Sequence, residues 1–291
     1  MKILNFGSLN LDKTYNVPHI VERGETISST SYAEFVGGKG LNQSIAIARA
    51  GGSVWHAGLV GQDDGGSLIQ ALEDSGVNTE LVEKRPLPSG HTIIQIDESG
   101  NNSIIVNGGA NQAVDSPFID KVLSKFDAGD VLVLQNEVSC ISEIIEKAYD
   151  KGLSIFLNPS PMDKAVLESP LDKISCFIIN EIEGKALTGE EKAEKIMASM
   201  KNLYPKAALL LTLGSEGAYY QKGEEQIFSP AFIVHAVDTT GAGDTFCGYF
   251  LANVTGGLSI EESMTKASRA AAIACTIKGA SNSIPKKEDV V

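Results

Sequence analysis

The four residues Val131-Leu-Val-Leu134 make a strand-length run with no polar position. A strand with one face in water alternates polar and apolar side chains, so a strand that is apolar throughout needs cover on both faces. Helices on both sides of a parallel sheet give that cover. Residues 3–6, 54–60, 154–157, 176–179 and 207–212 read as further strands. Residues 41–50, 65–75, 117–126, 142–151, 245–253 and 260–276 read as helices. The alternation predicts an α/β fold around a mostly parallel sheet. A hairpin is expected over 217–228, and Phe232-Ile-Val-His-Ala236 is a further β-rich line. No internal repeat, low-complexity run or linker divides the 291 residues, which read as one domain.

Two groups of residues stand outside this alternation. Residues 26–36 are rich in β-formers and show no helical period. Residues 90–97 and 103–106 read as strands joined by the turn Glu98-Ser-Gly-Asn-Asn102. Together they predict a small separate sheet from segments at about 13–36 and 90–107.

The chemistry points to Val237-Asp-Thr-Thr-Gly-Ala-Gly-Asp-Thr-Phe246. Its glycines fall where a helix begins, so backbone N–H groups there are free and the helix dipole favours negative charge. Gly241 and Gly243 carry no side chain to block an anion. A carboxylate at Asp244 repels phosphate, but it suits contact with a hydroxyl that attacks phosphorus. An anion cradle of Gly241, Ala242 and Gly243 beside a fixed Asp244 is what phosphoryl transfer to an alcohol requires. The plainer alternative is a glycine-rich helix cap with Asp244 in the first turn.

Other polar residues sit at strand ends. Asn10 and Asp12 alternate with Leu9 and Leu11, so they share a face and offer donors and acceptors for vicinal hydroxyls; an Asx-rich turn is the other reading. Glu137 follows the strand at 131–134, where parallel sheets collect ligands, or is a solvated turn residue. Gly37-Gly-Lys-Gly40 opens a helix and lacks the Walker A pattern, and no G-x-G-x-x-G follows the first strand. The paired glycines suit a hinge, Lys39 could reach a sugar or the transferred phosphate, and Asn42 could reach a sugar hydroxyl.

The net charge of −13 argues against nucleic-acid and anionic-membrane partners. No apolar run approaches the roughly 18 residues that span a bilayer, and the N-terminus reads as a strand rather than a signal peptide. Cys140, Cys176, Cys247 and Cys275 are scattered and read as small core residues of a cytoplasmic protein.

Val237–Phe246 and Gly37-Gly-Lys-Gly-Leu-Asn-Gln43 resemble, in order, two signatures of the ribokinase-like (PfkB) carbohydrate kinases. The resemblance runs from Gly7 to Ala280. It implies a three-layer α/β/α sandwich whose inserted β-sheet forms a lid over a sugar and a homodimer surface. It implies an ATP-dependent kinase of a small sugar, with Asp244 as base. Asn10, Asp12, Gly38, Lys39, Asn42 and Glu137 would bind the sugar. Asn180, Glu183, Thr212, Gly214, Ser215, Gly217, Gly243 and Ser268 would hold nucleotide and Mg²⁺, although Asn180 is equally a plain helix cap. An adenine could lie on the Ala270-Ala-Ala-Ile-Ala274 face, or that face packs helices closely. Asp238, Thr240, Ala274, Gly279 and Ser283 would enclose K⁺; otherwise Asp238 only caps its turn.

Within the family, the N-terminal segments are most similar to those of enzymes that phosphorylate ribose to ribose 5-phosphate. Leu41 stands where those enzymes usually have Ala, and Asn136 and Gly108-Gly109 also depart from their pattern. Deoxyribose, a fructose-type ketose or a nucleoside therefore stay open as substrates. A non-catalytic sugar- or nucleotide-binding regulator is a further alternative, but it has no need of Asp244.

Overall fold

A computed structural model describes residues 1–290. Its main sheet has nine strands. From one edge to the other they are β13 (Glu225–Pro230), β12 (Gly217–Lys222), β11 (Ala208–Thr212), β10 (Cys176–Asn180), β9 (Ser154–Asn158), β8 (Val131–Gln135), β1 (Ile3–Phe6), β4 (Val54–Gly61) and β5 (Asn78–Arg85). From β11 to β5 the neighbours are parallel; β12 and β13 add an antiparallel hairpin.

Period-two alternation sorts the strand residues onto two faces. Leu4, Phe6, Leu132, Leu134, Phe177, Ile179, Leu209 and Leu211 join one core, with α3 (Ser116–Leu123), α4 (Ile141–Asp150), α5 (Lys164–Leu167), α6 (Glu181–Thr188) and α7 (Ala193–Leu203). Ile3, Val131, Val133, Cys176, Ile178, Ala208 and Leu210 join the other, with α1 (Lys39–Arg49), α2 (Gly66–Asp74), α8 (Ala242–Thr255) and α9 (Ile260–Cys275). The sheet between two helical layers is the α/β architecture read from the apolar runs. Among the described residues no helix is long and apolar enough to cross a membrane.

A second sheet, in the order β3-β2-β6-β7, comes from β2 (Asn10–Asn16), β3 (Ser31–Gly37), β6 (Gly90–Ile96) and β7 (Asn102–Asn107). Asn10 and Asp12 thus lie in a strand, not a turn. Strand structure in the first segment is confined to its two ends, since no element falls between Asn16 and Ser31.

Three local expectations change. Residues 232–236 form no strand, because nothing pairs with them; Ile233 is fully exposed. Helix α8 starts at Ala242 rather than at 245, because Gly241 adopts φ 76° and serves as its N-cap. Cys176 and Cys247 are buried, but Cys140 is exposed at the N-cap of α4 and Cys275 is only partly covered.

Candidate active site

The carboxyl ends of the parallel strands collect the polar residues. Gln135 is in register with Asn158, and Asn180 with Thr212. Ligands gather at this edge of open α/β sheets.

Asp244 occupies the first turn of α8 and is 7% exposed. Its Oδ2 accepts Asn42 Nδ2 at 3.2 Å, and its Oδ1 accepts Gln43 Nε2 at 2.9 Å. Two side chains of α1 therefore fix the carboxylate from below. Asn42 Oδ1 is buried with no partner, an acceptor left over beside that carboxylate. Lys39, also on α1, is half-buried; Asp244 first and then Glu137 hold its ammonium charged, against the penalty of burial.

The backbone at this helix start is open. The amides of Gly241, Gly243 and Asp244 have no acceptor among the described residues. The Ala242 amide differs from expectation, since it is already turned to the Thr239 carbonyl at 3.2 Å. Asp244's own N–H takes its place as a free donor, which the glycine pattern alone did not single out. Successive free amides at a helix N-terminus form an anion site.

The sugar candidates surround the start of α1. Glu137 Oε2 accepts the Lys39 amide at 2.9 Å and the Ser8 hydroxyl. Burial raises the Glu137 carboxyl above its ordinary range, partly offset by those donors. Asn10 Oδ1 accepts Asn111 Nδ2 at 2.8 Å, and Asp12 Oδ1 accepts Thr92 Oγ1 at 2.6 Å. Burial also raises Asp12. Two glycines make room for this pair. A Cβ at Gly37 would sit 2.1 Å from Asp12 Oδ2, and one at Gly90 would sit 2.2 Å from Asn10 Oδ1. Gly38, with φ 96°, lies against Ser8 and Asn10 and carries the step from β3 into α1.

The nucleotide candidates Asn180, Thr212, Gly214, Ser215, Gly217, Gly243 and Ser268 line one cavity of about 480 Å³. Ala271 and Ala272 line it too, whereas Ala270 and Ala274 are buried in helix packing. Glu183 is set apart. It closes a capping box with Asn180, accepting the Asn180 amide at 2.9 Å. The capping reading of Asn180 is present, and Asn180 also lines the cavity. No three His, Cys, Asp or Glu side chains form a metal cage among the described residues. Asn180 and Glu183 supply oxygen donors of the kind Mg²⁺ takes.

Asp238 accepts Thr240 N at 2.9 Å and Oγ1 at 2.7 Å on one oxygen, and Gly279 N at 2.9 Å on the other. Burial would raise its carboxyl, but these bonds outweigh it and hold it below the ordinary range. The Thr240 and Gly279 carbonyls accept no hydrogen bond among the described residues. Ser283 donates to the Ala280 carbonyl at 2.8 Å, and the Ala274 carbonyl accepts Ile277 N at 3.1 Å. The capping role is present, and the free carbonyls and remaining lone pairs fit a large monovalent cation as well.

The residues that sequence reading passed over are Ser8, Asn111, Gln43 and Gln135. Gln43 lies inside the Gly37–Gln43 stretch, Gln135 directly precedes Asn136 and Glu137, and Ser8 precedes the Leu9–Asp12 alternation. Asn111 had no such signal, because its partner Leu9 lies 102 positions away.

The model of the pfkB family of carbohydrate kinases matches residues 1–287. The ribokinase of Bacillus subtilis is 31% identical over 287 residues, covering 98% of this chain and 96% of the relative. A deoxyribokinase of Salmonella typhi is 33% identical over 296 residues, covering 99% and 97%. Among solved structures, the ribokinase of Arabidopsis thaliana complexed with ribose and ATP superposes with a TM-score of 0.89 at 31% identity, covering 99% of this chain and 96% of that one.

Proposed function

The chain belongs to the pfkB family of carbohydrate kinases, and on that footing we propose that it transfers the γ-phosphoryl group of ATP to ribose, forming ribose 5-phosphate. One observation carries this reading. Asp244 is clamped by Asn42 and Gln43 in the first turn of a helix whose free amides open beside a nucleotide-sized cavity. A binding protein has no use for a carboxylate fixed there.

Asp244 accepts the proton of the attacking hydroxyl. In a loose transition state that proton leaves late, so position matters more than base strength. The amides of Gly241, Gly243 and Asp244 meet the charge that grows on the transferred oxygens, and Lys39 adds a fixed positive charge. Asn10, Asp12, Asn42 and Glu137 hold the sugar hydroxyls. Asn180, with Glu183 behind it, would hold Mg²⁺ and phosphate, and the ion would supply charge neutralisation at the nucleotide. K⁺ in the loops of Asp238 and Gly279 would brace the cradle without touching substrate.

The second sheet acts as a lid, hinged at Gly37-Gly38. It exposes Tyr32, Phe35, Ile104, Ile105 and Val106, apolar cover that favours a homodimer through the lid. Light scattering at the mass of one chain contradicts that dimer.

A second substrate reading is 2-deoxyribose, supported by the 33% identity to a deoxyribokinase and by the buried Leu41 beside Asn42. An ADP-release assay with ribose, 2-deoxyribose, fructose and nucleosides decides. Ribose should give the highest kcat/KM; preference for any other acceptor overturns the ribose reading.

A further inference from the structure

Three adjacent strands each carry one polar residue among apolar ones, Asn5 inside β1, His56 inside β4 and Gln135 at the end of β8. All three meet α1, where Gln43 and Ser44 face them. The five side chains are fully buried. Burying polar groups is unfavourable unless each finds a partner, and of the polar side-chain atoms of these five residues only Gln135 Oε1 lacks one.

The hydrogen bonds can run in only one direction. It is set by the carbonyls of Gly7 and Gly40, which only accept. His56 Nε2 lies 3.2 Å from the Gly7 oxygen, so that nitrogen carries the hydrogen and Nδ1 is left as an acceptor. Ser44 Oγ, 2.8 Å from Nδ1, must then donate to it. Asn5 Nδ2 donates to Ser44 Oγ and to the Gly40 carbonyl, both at 2.7 Å. Asn5 Oδ1 therefore accepts Gln135 Nε2 at 2.9 Å, and the same nitrogen donates to Gln43 Oε1 at 2.7 Å. Gln43 is left with its N–H pointing at Asp244 Oδ1. Reversing any one amide sets like groups face to face.

We infer that Gln43 and Gln135 are positioning residues for phosphoryl transfer, because the bond chain from Gly7 and Gly40 presents an N–H to Asp244 and fixes its carboxylate toward the acceptor hydroxyl. The inference rests on reading Asp244 as the proton acceptor. Gln43 acts through Asp244, and Gln135 acts through Gln43.

Gln43→Met and Gln135→Met keep side-chain length and remove the amide. Gln43→Met should lower kcat roughly 10- to 100-fold, leave KM for ATP within about twofold, and move the acid limb of the kcat–pH profile to higher pH. Gln135→Met, which does not touch Asp244, should lower kcat about 3- to 10-fold and move the same limb the same way. Ser44→Ala cuts the chain two links further back and replaces Gln135→Met if that variant does not fold. Folded variants with wild-type kcat, or with an unmoved acid limb, overturn the inference. Asp244→Asn separates the two ideas. Near-normal turnover there removes the base itself. An inactive Asp244→Asn with an unmoved limb in Gln43→Met removes only the positioning role.

Discussion

Ser281 donates its hydroxyl to the Val36 carbonyl at 3.0 Å, tying the loop after α9 to the strand that runs into Gly37-Gly38. Its neighbour Ala280 lies against Gly241, where an added Cβ would sit 3.1 Å from the Ala280 Cα. One loop thus touches both the strand leading into Gly37-Gly38 and the N-cap of α8. If that sheet closes on the sugar, hydrogen exchange in residues 31–37 and 90–107 should slow when ribose is added. Ser281→Ala should speed exchange in residues 31–37 of the free protein. Exchange that ignores a saturating, turned-over sugar would mean a rigid site.

The polar pair of β2 should control sugar use. Losing one partner of a buried hydroxyl costs about 1–3 kcal/mol, so Asn10→Ala or Asp12→Ala should raise the sugar KM roughly 5- to 150-fold. Gly37→Ala should act in the same direction, because its Cβ would occupy the place of the Asp12 carboxylate. Steady-state kinetics at fixed saturating ATP checks this. A rise in KM for ATP with KM for sugar unchanged places these residues elsewhere.

Much of the architecture could be read from the chain, and the reasons are local. Strands β8, β10 and β11 are apolar on both faces, which leaves a doubly covered parallel sheet as their only home. The edge strand β5, Asn-Thr-Glu-Leu-Val-Glu-Lys-Arg, lacks that mark because one side of it meets solvent. Residues 232–236 have strand composition but no partner, so composition alone misled. Asp244, Asn42 and Glu137 stood out because they follow glycines or strand ends. Asn5 and His56 did not, because a single polar residue inside an apolar strand gains meaning only when its neighbours across the sheet are known.

His56 gives the fold a pH dependence. Burial pushes its imidazole from 6.5 down to about 4. Above pH 6.5 the ring is neutral both folded and unfolded, and its contribution is fully present. As pH falls from 6.5 to 4 the unfolded chain binds a proton that the folded chain refuses, so stability drops by ~1.4 kcal/mol per unit, about 3 kcal/mol in all. Urea unfolding at pH 7.5 and 5.0 should show a loss about 2 kcal/mol smaller in His56→Gln than in the wild type. Equal losses in both proteins would free His56 of this role.

Monovalent cations should activate turnover. Asp238, with the open Thr240 and Gly279 carbonyls, offers one negative charge among neutral oxygens beside the cradle, which suits K⁺ better than Mg²⁺. Adding K⁺ to enzyme in sodium- and potassium-free buffer should raise kcat, and Asp238→Ala should lose the response. Identical rates with and without K⁺ would leave Asp238 with its hydrogen bonds to Thr240 and Gly279 alone.

The most direct test is the turnover of Asp244→Asn. The substitution keeps the shape of the side chain and removes the proton acceptor, and its new N–H group can be met by Asn42 once that amide turns its unpartnered Oδ1 inward. ADP release with ribose and ATP should fall roughly 10²- to 10⁴-fold in kcat, the range for a positioned base. Calorimetric binding of ATP and ribose should stay within about threefold of wild type. Turnover near the wild-type rate in the folded variant would contradict the assignment of Asp244 as base.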